Sequence, residues 1–153
     1  MTMEIPPQGT RGTRMPGGRF LRFGAGAMAW LYRSSGGRIG GHKMLLLATV
    51  GARSGARRIA NLRRFDDGPD RWLVVGSKGG AADHPSWLFN LAHNPDQAWV
   101  EIDKDKFKVT PVLLAGEERA TAWRRIVAEA PQFGDYEHKT DREIPVVRLT
   151  REL

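Results

Sequence analysis

A glycine-rich loop, residues 76–87, constrains this chain more than any other feature, because it leaves one apolar run and enters another. The four residues before it, Trp-Leu-Val-Val, are apolar, and three of them are aromatic or β-branched, which predicts a buried strand. After it, Asp83 or His84 suits the cap of a helix that takes Pro85 in its first turn. A glycine loop between a strand and a helix lets backbone amides approach a ligand, and Lys78 adds a positive charge. We therefore expect an anionic or carbonyl-rich ligand here.

The rest of the chain predicts short strands with a few helices. Strands are expected at residues 43–50, 57–65, 71–76, 99–103, 106–114 and 145–150, and helices at residues 85–93, 116–130 and 133–139. Most strands follow one another through short turns, which favours an antiparallel barrel over a doubly wound sheet. The length of 153 residues suits one domain, which we place at residues 19–153.

The N-terminal region divides into two predicted parts. Residues 1–18 are polar and rich in Pro, Gly and Thr, which predicts a disordered arm and lacks the apolar core of a signal peptide. Residues 19–33 carry an apolar stripe flanked by arginines, which predicts an amphipathic helix. That helix either packs on the barrel or, with the basic residues of the segment 11–33, contacts an anionic membrane weakly. We expect a cytoplasmic protein, peripheral to the inner face of the cell membrane in the second case.

The net charge is uneven along the chain. Residues 1–64 carry twelve Lys and Arg against one acidic residue, a net of +11, and the remainder carries twelve against sixteen, a net of −4, which gives the formal +7. A basic half beside an acidic half indicates an anionic partner: nucleic acid, an acidic membrane surface or a polyanionic small molecule. The basic residues at 53–58 form one compact turn without interleaved aromatic side chains, which argues against nucleic acid.

The chain offers few groups for metal binding or nucleophilic catalysis. It has no cysteine, which excludes disulfides, thiol nucleophiles and thiolate metal ligands. Its four histidines do not have the spacing of metal ligands, and no Ser-His-Asp pattern surrounds a nucleophile elbow. We predict no metal site.

Several motifs occur in consistent order between residues 44 and 149. They are GARSGARR at 51–58, GSKGG at 76–80, HPSW at 84–87, Asn-Leu at 90–91, Asn-Pro at 94–95 and TDREIPVV at 140–147. Together they resemble the deazaflavin-dependent nitroreductase family, whose members are split-barrel oxidoreductases that use coenzyme F420. The resemblance implies a mainly β (α+β) fold, a split β-barrel of the flavin- and deazaflavin-binding type with peripheral helices.

By this resemblance, the turn after the first long strand holds the phosphate and polyglutamate tail of the deazaflavin. Arg53, Ser54 and Arg58 match the family pattern, whereas Ala52 stands where the family usually has arginine. We expect Arg57 to replace that anion contact, because a guanidinium group binds phosphate and carboxylate oxygens bidentately.

The resemblance also places the glycine loop against the deazaflavin ring. Lys78 with the amides of Gly79 and Gly80 would steady the negative charge of the ring carbonyl region, and Ser77 would hydrogen-bond the acceptor. Three more residues would wall and orient the ring: Pro85, Trp87 and Asn90. For Trp87, a plain core position is the alternative.

The segment that closes over the substrate in this family is altered here. Tyr136 is the one tyrosine kept, and we assign it with Ser77 to catalysis. Ala130 and Phe133 stand where nitroimidazole-activating members have tyrosines, and Arg63 replaces a usual apolar or tyrosine side chain. These departures leave cofactor binding intact and indicate a rebuilt acceptor pocket.

The resulting hypothesis is an F420H2-dependent reductase that transfers hydride to an electron-poor acceptor such as a quinone or a nitroaromatic compound. The alternative is a non-catalytic split-barrel module that binds the deazaflavin or a lipid. Flavin mononucleotide (FMN) is a less favoured ligand of the same barrel class. The sequence leaves the oligomeric state open.

Overall fold

The computed structural model describes residues 3–13, 38–39 and 42–153; the predicted helix 19–33 lies outside the described residues. The strands are β1 (Arg38–Ile39), β2 (His42–Val50), β3 (Arg57–Arg63), β4 (Phe65–Asp66), β5 (Arg71–Val75), β6 (Ala98–Ile102), β7 (Asp105–Leu113) and β8 (Val146–Arg151). The α-helices are α1 (Ser86–His93), α2 (Gly116–Glu129) and α3 (Gln132–Lys139), and a short 3-10 helix covers Lys78–Gly80.

The strands form one antiparallel sheet in the order β1-β2-β6-β7-β8-β5-β4, with β3 paired to β2. Strand β7 belongs to both halves of this sheet, because its first residues pair with β6 and its later residues, from Val109 to Leu113, pair with β8. Between β6 and β7, Asp103 and Lys104 have φ values of 50° and 72°, as a tight two-residue hairpin turn requires. This architecture confirms the prediction of a mainly β split barrel.

Two apolar clusters form the core. The first lies beneath α1 and includes Leu45, Leu47, Val74, Leu88, Leu91, Val100 and Leu149. The second lies beneath α2 and α3 and includes Leu73, Trp123, Ile126, Phe133 and Ile144. Alternate residues of β5 enter different clusters, because successive side chains of a strand point to opposite faces. Helix α1 therefore covers one face of the sheet at β5, and helices α2 and α3 cover the other face.

The predicted strand 57–65 is interrupted. β3 ends at Arg63, the Arg64 amide donates to the Lys43 carbonyl at 3.0 Å, and Phe65 starts a new pairing with β5. The Phe65 ring is 3% exposed and packs edge-on against Phe133 in the second core cluster. The chain crosses from one half of the sheet to the other here because this aromatic ring is buried in the other cluster.

The predicted helix cap is wrong. Helix α1 begins at Ser86, and Pro85 itself takes the N-cap position in an extended conformation with no side-chain cap. Asp83 instead forms an ion pair with Lys78, with 2.7 Å between Nζ and Oδ2. His84 is buried, so neither side chain is free to cap the helix.

The prediction of a disordered arm over residues 1–18 is wrong for residues 3–13, which we call the strap. Met3 is 7% exposed in the first core cluster, and Ile5 packs against the same cluster. Farther along, the amides of Gly9 and Thr13 donate to the carbonyls of Ala82 and Gly80 at 2.7 and 3.0 Å. The strap therefore runs from the core to the glycine loop. None of the helices in the described part of the chain combines the length and apolar character needed to span a membrane.

Candidate functional site

The glycine loop, residues 76–82, has an unusual backbone. Lys78, Gly79 and Gly80 have φ values of 45°, 63° and 81°, so three consecutive residues are left-handed. A non-glycine residue in this region costs on the order of 1–3 kcal/mol, and such strain concentrates at functional sites. A Cβ atom on Gly80 would lie 3.0 Å from Cβ of Lys139 and 3.1 Å from the Tyr136 carbonyl oxygen. The loop therefore needs glycine at this position to fit against α3.

Arg142 organises this loop from the protein interior. Its guanidinium group donates to the carbonyl oxygens of Ala81, Gly76 and Ser77 at 2.8, 3.0 and 2.8 Å. The side chain is 5% exposed, and its Nη1 also lies 3.0 Å from Nδ1 of His84. A buried charge is tolerated only when it is well hydrogen-bonded, and here backbone carbonyls supply those bonds. Burial lowers the pKa of Arg142 below its usual value.

His84 links the loop to the strap. Its Nε2 lies 2.7 Å from the Pro6 carbonyl oxygen, and its amide donates to Oε1 of Gln8 at 3.3 Å. Because the carbonyl accepts and the guanidinium donates, the neutral tautomer with the proton on Nε2 fits both partners. Burial, with the nearby Arg142 charge also acting, lowers the pKa of His84 below its usual 6.5. The ring is therefore neutral at physiological pH.

Asp141 anchors the strap on the other side. Its Oδ2 accepts the Thr10 hydroxyl at 2.6 Å, and its Oδ1 accepts the amides of Thr10 and Arg11 at 2.8 and 3.1 Å. The bond from the Thr10 hydroxyl, followed by those from the two amides, lowers the pKa of Asp141 to about 2. Adjacent residues 141 and 142 thus hold two different segments, the strap and the loop.

The arginine turn, residues 51–58, has a different character. Arg53 and Arg57 are exposed and Arg58 is half-buried; none of the three guanidinium groups has a hydrogen bond or ion pair with a described residue. The turn is closed by its own backbone, from Gly51 to Ala56 at 2.7 Å and from Gly55 to Gly51 at 2.9 Å. These three cations are therefore available to an anionic ligand.

Two predicted cofactor-binding residues, Ser54 and Asn90, make hydrogen bonds within the arginine turn or to it. The Ser54 hydroxyl accepts the Ala56 amide at 3.2 Å, so it also shapes the turn. The Asn90 side chain accepts the Ala52 amide at 3.0 Å and donates to the Thr49 hydroxyl at 3.1 Å. Asn90 is 6% exposed, so its clearest role is to hold the arginine turn against α1.

Helix α1 connects the two predicted ligand-binding elements. The glycine loop precedes its first residue, and Asn90 lies in its second half. Eight residues at about 1.5 Å each make the helix about 12 Å long. A ligand bound by both elements would have to reach along this helix.

Within the glycine loop, the structure separates the predicted contacts. Ser77 is half-buried and its hydroxyl makes no cap bond to the 3-10 helix, so it is available to a ligand. The predicted cofactor residue Lys78 forms an ion pair with Asp83, at 2.7 Å between Nζ and Oδ2, and its contact with the ring stays a prediction. The Gly80 amide donates to the Ser77 carbonyl at 2.9 Å, which leaves the Gly79 amide for a ligand.

Helix α3 brings Tyr136 to the loop, since the Tyr136 backbone lies beside Gly80. Its ring is edge-on to Phe133, with centroids 5.4 Å apart, and Nζ of Lys139 lies 5.6 Å from the ring centroid. By contrast, Ala130 and Phe133 are buried in the second core cluster, at 1% and 8% exposure. On this segment the kept Tyr136 is therefore half-buried, whereas the two altered positions are interior.

Two more predicted residues are largely interior. Trp87 is 8% exposed in the first core cluster, and Pro85 is buried at the start of α1. Their role as walls of a ring stays a prediction. Arg63 places its guanidinium 5.2 Å from the Phe65 ring centroid, and its buried Nη1 has no hydrogen-bond partner in the described part of the chain. In the described ranges, no three His, Asp or Glu side chains come together as a metal site.

The sequence interpretation missed the loop's supports. Arg142 belongs to a recognised motif but received no role, and the strap was read as disordered. The run Thr140–Asp141–Arg142 was a usable signal, because an arginine beside buried apolar residues needs acceptors. Nothing in the sequence identifies loop carbonyls as those acceptors.

Comparison with known proteins identifies the family of this chain. Residues 26–151 match the family described as F420H(2)-dependent quinone reductase. An F420H(2)-dependent quinone reductase of Mycobacterium tuberculosis is 40% identical over 131 residues, which cover 79% of this chain and 85% of that protein.

Two solved structures are also similar to this chain. An F420-H2 dependent reductase, FDR-A, is 37% identical with a TM-score of 0.62, covering 69% of this chain and 92% of that one. A structure described as a domain-swapped dimer is 32% identical with a TM-score of 0.63, covering 80% of this chain and 98% of that one.

Proposed function

Because the chain belongs to the F420H(2)-dependent quinone reductase family, we propose that it transfers a hydride from reduced coenzyme F420 to a quinone. It is an F420H2-dependent reductase, and its cofactor is coenzyme F420. The observation that carries the site assignment is the arginine turn, whose three guanidinium groups have no partner among the described residues and which one short helix joins to a strained glycine loop.

The residues present fit this cofactor. Its phosphate and carboxylate groups match Arg53, Arg57 and Arg58, whose guanidinium groups have no partner among the described residues. Its ring carbonyls match the Gly79 amide, which the loop does not use internally. The missing arginine at Ala52 is offset by Arg57 in this arrangement.

When bound, the reduced deazaflavin supplies the hydride, so the protein needs no nucleophile of its own. In the proposed arrangement the arginine turn binds the anionic tail, and the glycine loop orients the ring. The Ser77 hydroxyl donates a hydrogen bond to an oxygen of the acceptor, which stabilises the negative charge that develops there. Tyr136, on the helix that packs against Gly80, closes the acceptor side of the site.

A quinone is the acceptor that these residues support better than a nitroaromatic compound. The tyrosine positions of nitroimidazole-activating relatives are Ala130 and Phe133 here, and both side chains are buried in the core. Ser77 can donate to a quinone carbonyl without help from either position. Reduction of nitroaromatic compounds is therefore expected to be the weaker activity.

The test is a titration followed by turnover. Purified protein is titrated with oxidised F420 and separately with FMN, with fluorescence as the readout. Reduced F420 is then mixed with menadione or with a nitroaromatic compound, and its oxidation is followed by absorbance. Micromolar binding selective for F420, with faster turnover on menadione, supports the proposal. Binding of F420 without oxidation by either acceptor would favour a non-catalytic binding module instead.

Membrane association through residues 11–33 is a separate proposal, supported by the arginines of that segment. Residues 14–37 lie outside the described part of the chain, so its support is the charge pattern alone. Co-sedimentation with vesicles that contain anionic lipid, against vesicles of neutral lipid, tests it. Equal sedimentation with both would contradict it.

A further inference from the structure

The glycine loop is held in its conformation from two sides. From the core side, Arg142 donates to three loop carbonyls, at positions 76, 77 and 81. From the outer side, the strap pairs with Ala82 and Gly80, and Gly12 lies so close that a Cβ atom there would be 2.4 Å from the Ala82 nitrogen. Lys78 lies between the loop residues that these two supports hold, and its backbone has a left-handed conformation.

The geometry of Arg142 suits this task better than that of any other side chain. A guanidinium group has five donors in a rigid planar fork, which matches several converging carbonyls. By pulling the carbonyls of Gly76 and Ser77 inward, Arg142 determines the direction of the peptide planes on both sides of Ser77. The position of Ser77 in the loop therefore depends on the Arg142 guanidinium group.

Burial of this charge is not needed for packing alone. A buried ion often contributes no more stability than an apolar residue of similar volume. Arg142 also lacks a carboxylate within salt-bridge distance among the described residues, so the backbone carbonyls with His84 are its partners. The charged guanidinium group of Arg142 therefore acts mainly on the conformation of the loop.

We propose that Arg142 is a positioning residue that fixes the orientation of Ser77 and the glycine loop for hydride transfer. This inference rests on the proposed function of the loop. Arg142 touches neither the acceptor nor the cofactor in this arrangement and acts through the loop backbone. Its loss should therefore lower kcat more than it weakens binding of the anionic cofactor tail.

The matched control is Arg119, which also donates to a backbone carbonyl, that of Ile144 at 2.7 Å, but lies on α2 and does not contact the loop. Arg142→Lys and Arg119→Lys make the same chemical change in two places. Three quantities are measured for each variant: kcat with reduced F420 and menadione, the F420 dissociation constant, and the rate of cleavage by endoproteinase Lys-C after Lys78.

Cleavage after Lys78 reports loop opening without any cofactor. Cleavage after Lys104, in the β6–β7 turn, serves as the internal reference for general unfolding. For Arg142→Lys we expect cleavage after Lys78 to rise about tenfold relative to Lys104, and kcat to fall about 10- to 100-fold, since small misplacements cost this much. The F420 dissociation constant should change less than kcat, and Arg119→Lys should match wild type in all three.

A second variant, Gly12→Ala, disturbs the loop from the strap side and leaves the core unchanged, so it serves if Arg142→Lys does not fold. It should also lower kcat more than F420 affinity. Equal cleavage after Lys78 and equal kcat in the Arg142 and Arg119 variants would overturn the positioning role. If wild-type protein neither binds F420 nor oxidises its reduced form, the proposed function is wrong, and Lys-C cleavage still decides whether Arg142 holds the loop.

Discussion

The glycine loop and the arginine turn lie at the two ends of one short helix and are built in opposite ways. The loop is held by hydrogen bonds from two sides. A buried guanidinium group donates to three of its carbonyls, and the strap pairs with its outer edge. The turn is closed by its own backbone and by Asn90, and its three guanidinium groups have no partner among the described residues.

The difference matches two separate tasks. Hydride transfer needs donors held within a fraction of an ångström, which a supported backbone provides. Capture of an anionic tail needs charge, and unpaired cations on an exposed turn supply it without exact geometry. Disturbing the loop should therefore change the rate, and disturbing the turn should change the affinity.

The largest expected effect comes from the double variant Arg53→Ala/Arg58→Ala. Each guanidinium bond to an anion contributes roughly 1.5–3 kcal/mol, so F420 affinity should fall about 100-fold or more. Because the ring end is untouched, kcat at saturating cofactor should stay within about threefold of wild type. Fluorescence titration at low and moderate salt measures the affinity, and steady-state kinetics measure kcat. Arg124→Ala, on the exposed face of α2, is the control. A large loss of kcat would contradict the division of tasks.

Next in size is Ser77→Ala. Removal of a donor to developing negative charge should lower kcat about tenfold or more, with a smaller change in F420 affinity. Steady-state kinetics with reduced F420 and menadione measure both quantities. Ser86→Ala, at the exposed first residue of α1, removes a hydroxyl nearby and should match wild type. If affinity and kcat fall equally in Ser77→Ala, the hydroxyl does not act on the acceptor.

A smaller effect is expected from Asn90→Ala, which leaves the Ala52 amide and the Thr49 hydroxyl without their partner. The free energy of unfolding should fall by about 1–3 kcal/mol, and F420 affinity should weaken because the turn loses its support. Chemical denaturation and titration measure the two. Asn94→Ala, which removes a longer 3.4 Å bond to Val50, should have the smaller effect on both. The opposite order would contradict the assigned role of Asn90.

The smallest expected effect is a pH dependence from His84. Its folded-state pKa is lowered below 6.5, so the unfolded chain binds the proton more readily than the folded protein. Stability from this group is complete above pH 6.5 and falls as the pH drops below that value toward the folded-state pKa. Thermal unfolding between pH 8 and 5 should show this decline in Tm, and it should be reduced in His84→Gln. An identical decline in the variant would exclude His84 as its source.

Much of the fold could be predicted from local patterns. The long strands and the helices at residues 116–130 and 133–139 were placed within one or two residues, because apolar periodicity and turn residues act locally. The break at Arg64 could not be predicted, because it follows from Phe65 being buried beside Phe133, far along the chain. The prediction of a disordered arm is wrong for residues 3–13, because the segment is polar overall but a few of its residues, such as Met3, pack into a cluster distant in sequence.

The candidate site divides in the same way. The sequence by itself determined the chemistry: basic residues in one turn, glycines and a serine in one loop, and motifs in the order of one family. Only the tertiary structure decided which groups are engaged: Lys78 is paired with Asp83, Asn90 holds the turn, and Arg142 holds the loop. The reason is physical, since composition states which donors and acceptors exist, whereas burial and long-range contact decide which of them find one another and which remain for a ligand.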